Sequence, residues 1–109
     1  MARSVIGPER FTDEDLKDIA GVERQLMEMN PVSLRALIRQ SSHRIDNGTQ
    51  RYIFAPDKTR SRLVNAVSVL RLTLKEWGRR GYGVDKPDIK YAYDALNRGD
   101  EFDRTLTYK

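Results

Sequence analysis

The segment 57–83, DKTRSRLVNAVSVLRLTLKEWGRRGYG, decides the fold class. Wound at about 100° per residue, it places Leu63, Ala66, Val67, Leu70, Leu74 and Trp77 within one arc, the stripe of a helix that faces a core. A neighbouring arc carries Arg60, Arg71, Lys75 and Arg79 among Ser61, Val64 and Ser68. One helix therefore has a side to bury and a side that can meet an anion. Val69 and Leu72 fall outside the main apolar arc and call for a second covering layer. A folded-back part of this chain, including the segment QRYIF at 50–54, or a subunit interface would supply it. Asp57 is expected to cap the helix, and Gly78, Gly81 and Gly83 to end it near Trp77.

Working outward, Thr12 followed by Asp13, Glu14 and Asp15 reads as an N-cap with carboxylates at the positive end of a helix dipole. A helix over 13–29 follows, with Leu16, Ile19, Ala20, Leu26 and Met27 on its apolar side and a bend or a close contact at Gly21. Asn30-Pro31 opens a second helix, since Asn caps free amides and Pro lacks only the N–H that a first turn does not use. Its periodicity through Leu34, Leu37, Ile38, Ser41 and Ile45 ends at Asn47-Gly48, giving 31–46. Asp85-Lys86-Pro87 starts a helix over 87–98, with Gly99 as its stop. The expected fold is mainly α, a small bundle of about four helices near 13–29, 31–46, 58–77 and 87–98. The β-forming stretches QRYIF at 50–54 and RTLTY at 104–108 leave room for one short two-stranded β-ribbon.

The 109 residues suit one domain, with residues 1–11 as a flexible N-terminal arm and 99–109 as a C-terminal tail. Gly7-Pro8 breaks regular structure in the arm, while Val5, Ile6 and Phe11 can dock. No apolar run reaches the roughly 20 residues that span a bilayer, and MARSVIGPER lacks the apolar region of a secretory signal. A cytoplasmic or intracellular protein, or one built into a macromolecular assembly, is expected, with no membrane partner. There are no cysteines, which removes disulfides, thiolate catalysis and Cys-containing zinc sites.

Charge is distributed unevenly. Residues 1–30 hold four basic and seven acidic side chains, residues 81–109 five and six, and residues 31–80 eleven and three. This central surplus would concentrate a polyanion, or it would be consumed by salt bridges to the acidic ends. The expected function is non-enzymatic binding of DNA or RNA, chiefly through phosphates. Arg60, Arg71, Lys75, Arg79 and Arg80 would neutralise the backbone, Tyr82 in GRRGYG would stack on a base, and Arg35, Arg39, Arg44 and Arg51 would extend the surface. Arg79, Arg80 and the glycines also read as a helix C-cap with cations at the negative dipole end. The alternative function is an assembly or adaptor subunit, such as a small viral packaging or virion protein, forming a homo-oligomer or joining a protein complex.

Catalysis finds no support in the residue pattern. Ser41, Ser42, His43 and Asp46 suggest a triad, but Ser42 and His43 point about 100° apart on one helix and cannot form the relay unaided. His43 is the only histidine. No metal-ligand spacing accompanies it, so neither metal nor cofactor is expected. Asp13, Glu14, Asp15 and Asp18 lack the spaced oxygens of a calcium loop and fit helix-start electrostatics better. From Thr73 onward, TLKEWGRRGYGVDKPDIKYAYDALNRGDEF resembles a winged-helix or helix-turn-helix segment over about a quarter of the chain. That resemblance implies that Lys90, Tyr91, Asp94 and Arg98 face a DNA groove. The long glycine-rich turn and the two aspartates of the would-be reading helix depart from the pattern.

Overall fold

A computed structural model describes the backbone of residues 10–51 and 56–107, and the side chains of 10–12, 14–49 and 62–101. The order is α1 (Asp13–Lys17), α2 (Ile19–Glu28), α3 (Pro31–Arg51), α4 (Pro56–Arg79) and α5 (Pro87–Thr107). The helix starts follow the local chemistry. Thr12 and Asp15 form a reciprocal capping box, and Asn30 Oδ1 accepts from the Ser33 amide at 2.8 Å just before Pro31.

The long N-terminal helix expected over 13–29 is two helices, broken at Asp18. The Asp18 carboxylate caps α2 by accepting from the Gly21 amide at 3.1 Å, and a Cβ on Gly21 would collide with that carboxylate. Gly21 thus gives a capping side chain its seat. The expected stop at Gly48 is also absent, and α3 continues to Arg51. Gly48 is buried, where a Cβ would lie 3.1 Å from Leu63 Cδ1, so its smallness lets α4 approach α3.

Gly99 gives the largest revision. A Cβ there would lie 2.7 Å from Val67 Cγ2 and 3.2 Å from Ile45 Cγ2, which makes Gly99 the point where α5 meets α3 and α4. The helix runs on to Thr107, so residues 99–107 are helical where a tail was expected. The β-ribbon loses both strands: Gln50 and Arg51 belong to α3 and residues 104–107 to α5. Continuous i to i−4 hydrogen bonding serves these backbones without a partner strand. Residues 52–54 and 108, which complete the two expected strands, and 1–9 of the arm lie outside the described residues.

Helices α3, α4 and α5 run up, down and up around a core in which Leu34, Ile38, Ile45, Leu70 and Ile89 are fully buried. Helix α4 touches every other helix. Its Asn65, Val69, Thr73, Glu76 and Arg80 follow one ridge, and α1 and α2 pack along that side. Phe11 is buried, and Asn65 Nδ2 donates to its carbonyl at 2.8 Å, so this end of the arm is docked. Val69 is buried and Leu72 packs against the core. The layer that these two residues call for is therefore intramolecular.

Leu70→Ala is expected to destabilise the fold by about 2–5 kcal/mol in denaturant titrations. At Gly99, replacement by Ala would stabilise an open helix by up to about 1 kcal/mol, whereas overpacking costs about 1–3 kcal/mol. The expected outcome is net destabilisation, and a stabilised Gly99→Ala protein would contradict the close approach.

Candidate functional site

The expected phosphate contacts of α4 all lie against carboxylates where their side chains are described. Arg71 pairs with Asp100 of α5, and Lys75 Nζ lies 3.3 Å from Glu23 Oε2 of α2. Arg79 donates twice to Glu76, at 2.8 and 2.7 Å, one turn back on the same helix. Arg71, Lys75 and Arg79 follow each other at i, i+4 and i+8 and remain more than half exposed. They form an outward ridge flanked by its own counter-charges. Arg60 and Arg51 lie in α4 and α3, and their side chains are outside the described residues.

Arg80 has a different role from the phosphate contact expected of it. Its side chain is 13% exposed, and Nε donates to Glu76 Oε2 at 2.6 Å. Its Nη2 reaches the carbonyls of Leu26 and Met27, at 2.8 and 3.0 Å, in the last turn of α2. These carbonyls are the negative end of the α2 dipole, so Arg80 fastens that end to α4. Glu76 is 6% exposed, and a carboxylate so placed must be answered by cations. The Arg79 hydrogen bonds, joined by that of Arg80 and opposed by burial, take its pKa from 4.5 down to about 2.

Tyr82 closes the helix. Gly81 is left-handed at φ 78°, its amide bonds Gly78 O at 3.0 Å, and the Tyr82 amide reaches Trp77 O at 3.4 Å. This is a Schellman C-cap, and the apolar contact such caps favour is present: the Tyr82 and Trp77 rings lie 4.7 Å apart. Trp77 Nε1 donates to Gly83 O at 3.1 Å, locking the loop over the indole. One ring contact of Tyr82 is thus used within the protein.

The proposed extension of the basic surface separates in the same way. Arg35 Nε and Nη2 grip Asp88 at 2.5 and 3.0 Å, and these bonds hold the Asp88 carboxyl below its ordinary range. Arg39 is exposed without an ion pair among the described residues, and Arg44 is half-buried and engaged. In α5, Arg98 Nη2 donates to Asp46 Oδ1 at 2.7 Å, and the Tyr91 hydroxyl donates to Asp46 Oδ2. Tyr91 and Arg98, which the winged-helix resemblance directs at a DNA groove, therefore bind α5 to α3. Lys90 and Asp94 are exposed.

Several of the side chains considered for catalysis or metal binding have structural partners, whereas the Ser41 hydroxyl is buried without a hydrogen-bond partner among the described residues. Ser42 is buried and donates to Ile38 O at 2.7 Å, Asp15 completes the α1 capping box and Asp18 caps α2. Among the described residues no group of three His, Cys, Asp or Glu is placed to hold a metal ion, and no helix is long and apolar enough to cross a membrane.

One feature was missed from the sequence. Among the described residues, Met27, Val32 and Val84 are the large apolar side chains more than half exposed. Met27 ends α2, Val32 opens α3 and Val84 lies in the α4–α5 connection. Val32 and Val84 sit at the end of the bundle where α3 and α5 begin and α4 ends, and Arg80 ties the end of α2, with Met27, to that same end. No protein-family model, curated protein or solved structure matches this chain.

Glu76→Gln tests the buried clamp. It removes one partner of a nearly buried ion cluster and is expected to cost roughly 2–4 kcal/mol at pH 7. A carboxyl with a lowered folded-state pKa contributes stability above its unfolded value and loses it as pH falls through the folded value. Wild-type stability should therefore fall between about pH 4.5 and 2, the interval set by Glu76. Denaturant titrations at a series of pH values should show the gap between wild type and Glu76→Gln narrowing over that interval.

Proposed function

We propose that this chain is a non-enzymatic assembly or adaptor subunit that meets a protein neighbour through the end of the bundle formed by the α2–α3 turn and the α4–α5 loop. The observation that carries the reading is the gathering of Val32, 80% exposed, Met27, 54%, and Val84, 51%, at that one end. Exposed apolar side chains scattered singly are ordinary, whereas several at one end mark a surface that loses water on association. The intramolecular pairing of Arg71, Lys75, Arg79 and Arg80 supports the same reading, since a phosphate backbone would meet cations already answered by carboxylates.

DNA or RNA binding is the second reading, favoured by the exposure of the Arg71, Lys75 and Arg79 ridge. Exposed ion pairs are worth about 0–1 kcal/mol, so phosphates can compete with Glu23 and Asp100 for these side chains. Arg60 and Arg51 would extend that contact.

A photo-crosslinking residue placed at Val84 or at Lys75 in the full chain, in the host cell, separates the two. The assembly reading predicts protein adducts from position 84 and no nucleic-acid adducts from position 75. Nucleic-acid adducts from 75 with none of protein from 84 would replace it with the second reading. In that case, changing Arg71, Lys75 and Arg79 together to Gln should flatten the slope of log affinity against log salt by up to about 2.7.

A further inference from the structure

Helices α3, α4 and α5 each pack against the other two, whereas α1 and α2 pack on each other and chiefly on α4. The three-helix core is therefore closed without the N-terminal pair. A short seam holds that pair in place. Phe11, Val22 and Leu26 supply buried apolar contact. Asn65 donates to the Phe11 carbonyl, Lys75 to Glu23, and Arg80 to the carbonyls of Leu26 and Met27. Each of these polar bonds joins a side chain of α4 to a group that water can serve once the seam parts.

The polar groups of α4 beneath the seam are satisfied within α4 itself. Thr73 is fully buried and its hydroxyl donates to Val69 O at 2.6 Å, while Glu76 accepts from Arg79 and Arg80 of the same helix. Parting the seam thus strands no buried donor and no unpaired buried charge, the outcomes that make local opening costly. The chain also has a joint where such a motion needs one. Met29 is extended, at φ −75° and ψ 138°, between α2 and α3, and Asn30 caps α3 from the far side of that joint.

We infer that α1 and α2 open from α4 as one unit about Met29 and Asn30, with Arg80 as the latch that holds them shut. The other three helices stay folded in the open state. Opening uncovers Val69 on α4 and Val22 and Leu26 on α2, and it takes Met27 away from the end of the bundle that carries Val32 and Val84. The latch thereby governs whether the end assigned to assembly is complete, a control that goes beyond the assembly reading and does not depend on it.

Native-state hydrogen exchange of the full chain, followed residue by residue at low denaturant where reclosing outruns exchange, tests the inference. The amides of Val22, Glu23 and Leu26 should share one opening free energy and one denaturant slope, with protection roughly tenfold or more below that of Ile38, Leu70 and Ala92. Ile45→Val trims a side chain of α3 that meets Gly99 of α5 and remains packed in the open state. It should speed exchange at Ile38, Leu70 and Ala92 roughly two- to tenfold and leave the three α2 amides unchanged. Arg80→Met keeps an apolar stem and removes the donors, so it should speed the α2 amides roughly tenfold. Opening as a unit is overturned if the α2 amides are as well protected as Ile38 and Ala92, or are accelerated with them by Ile45→Val. Exchange of the α2 amides one by one, with no shared slope, overturns it too. If α2 exchange is unmoved in Arg80→Met, Arg80 is not the latch.

Discussion

Glu76 is a carboxylate held almost out of water in the last turns of α4, and much of the arrangement depends on how its charge is met. Arg79 and Arg80, three and four residues later, both turn back to it. Arg80 then has donors to spare and spends them on the last carbonyls of α2. A charge buried within one helix thereby sets where another helix ends, and α1 and α2 lie along the ridge that runs from Asn65 to Arg80. The position of Met27 beside the α4–α5 loop follows from the same clamp.

The remaining ion pairs act as markers of register. Arg35 with Asp88 and Arg98 with Asp46 join α3 to α5 at two levels, which is possible only if the two helices run in the same direction. Each pair is substantially exposed on at least one side and worth little by itself. Burial of Leu34, Ile38, Leu70 and Ile89 supplies most of the driving force, while the charged seams select one alignment among several that would bury similar area. Arg35, Arg71 and Lys75 of the basic middle are met by Asp88, Asp100 and Glu23 from the acidic ends, so part of a charge surplus obvious along the chain becomes paired contacts in space.

Three helix starts were legible because their chemistry is local: Thr12 and Asn30 lie within a few residues of the amides they cap and Pro87 opens α5, whereas the starts at Ile19 and Pro56 were not foreseen. The apolar arc of α4 was legible for the same reason, whereas Arg79 and Arg80 were read as phosphate contacts or C-cap cations and their common partner Glu76 was not considered. Glycines were read wrongly when their reason was tertiary. Gly48 and Gly99 resemble stops in sequence, yet each is where another helix approaches, and neither Leu63 nor Val67 can be identified as the neighbour from periodicity. Glu23 and Lys75 are 52 residues apart, so their pairing was equally hidden. The exposed end was invisible for a related reason, since Met27 is brought to the end of the bundle that carries Val32 and Val84 only once α2 and α4 are fastened.

On the proposed reading, the α4 cations serve the protein's own structure while the apolar end serves its neighbours. Side-chain NMR of one labelled sample can follow both groups, recording the methyl signals of Met27, Val32 and Val84 and the guanidinium signals of Arg71, Arg79 and Arg80 as protein and then duplex DNA are added. Concentration-dependent shifts of the three methyl groups, with guanidinium signals unmoved by DNA at physiological salt, are the predicted result. Guanidinium shifts on DNA addition, with methyl signals constant over the whole concentration range, would contradict it.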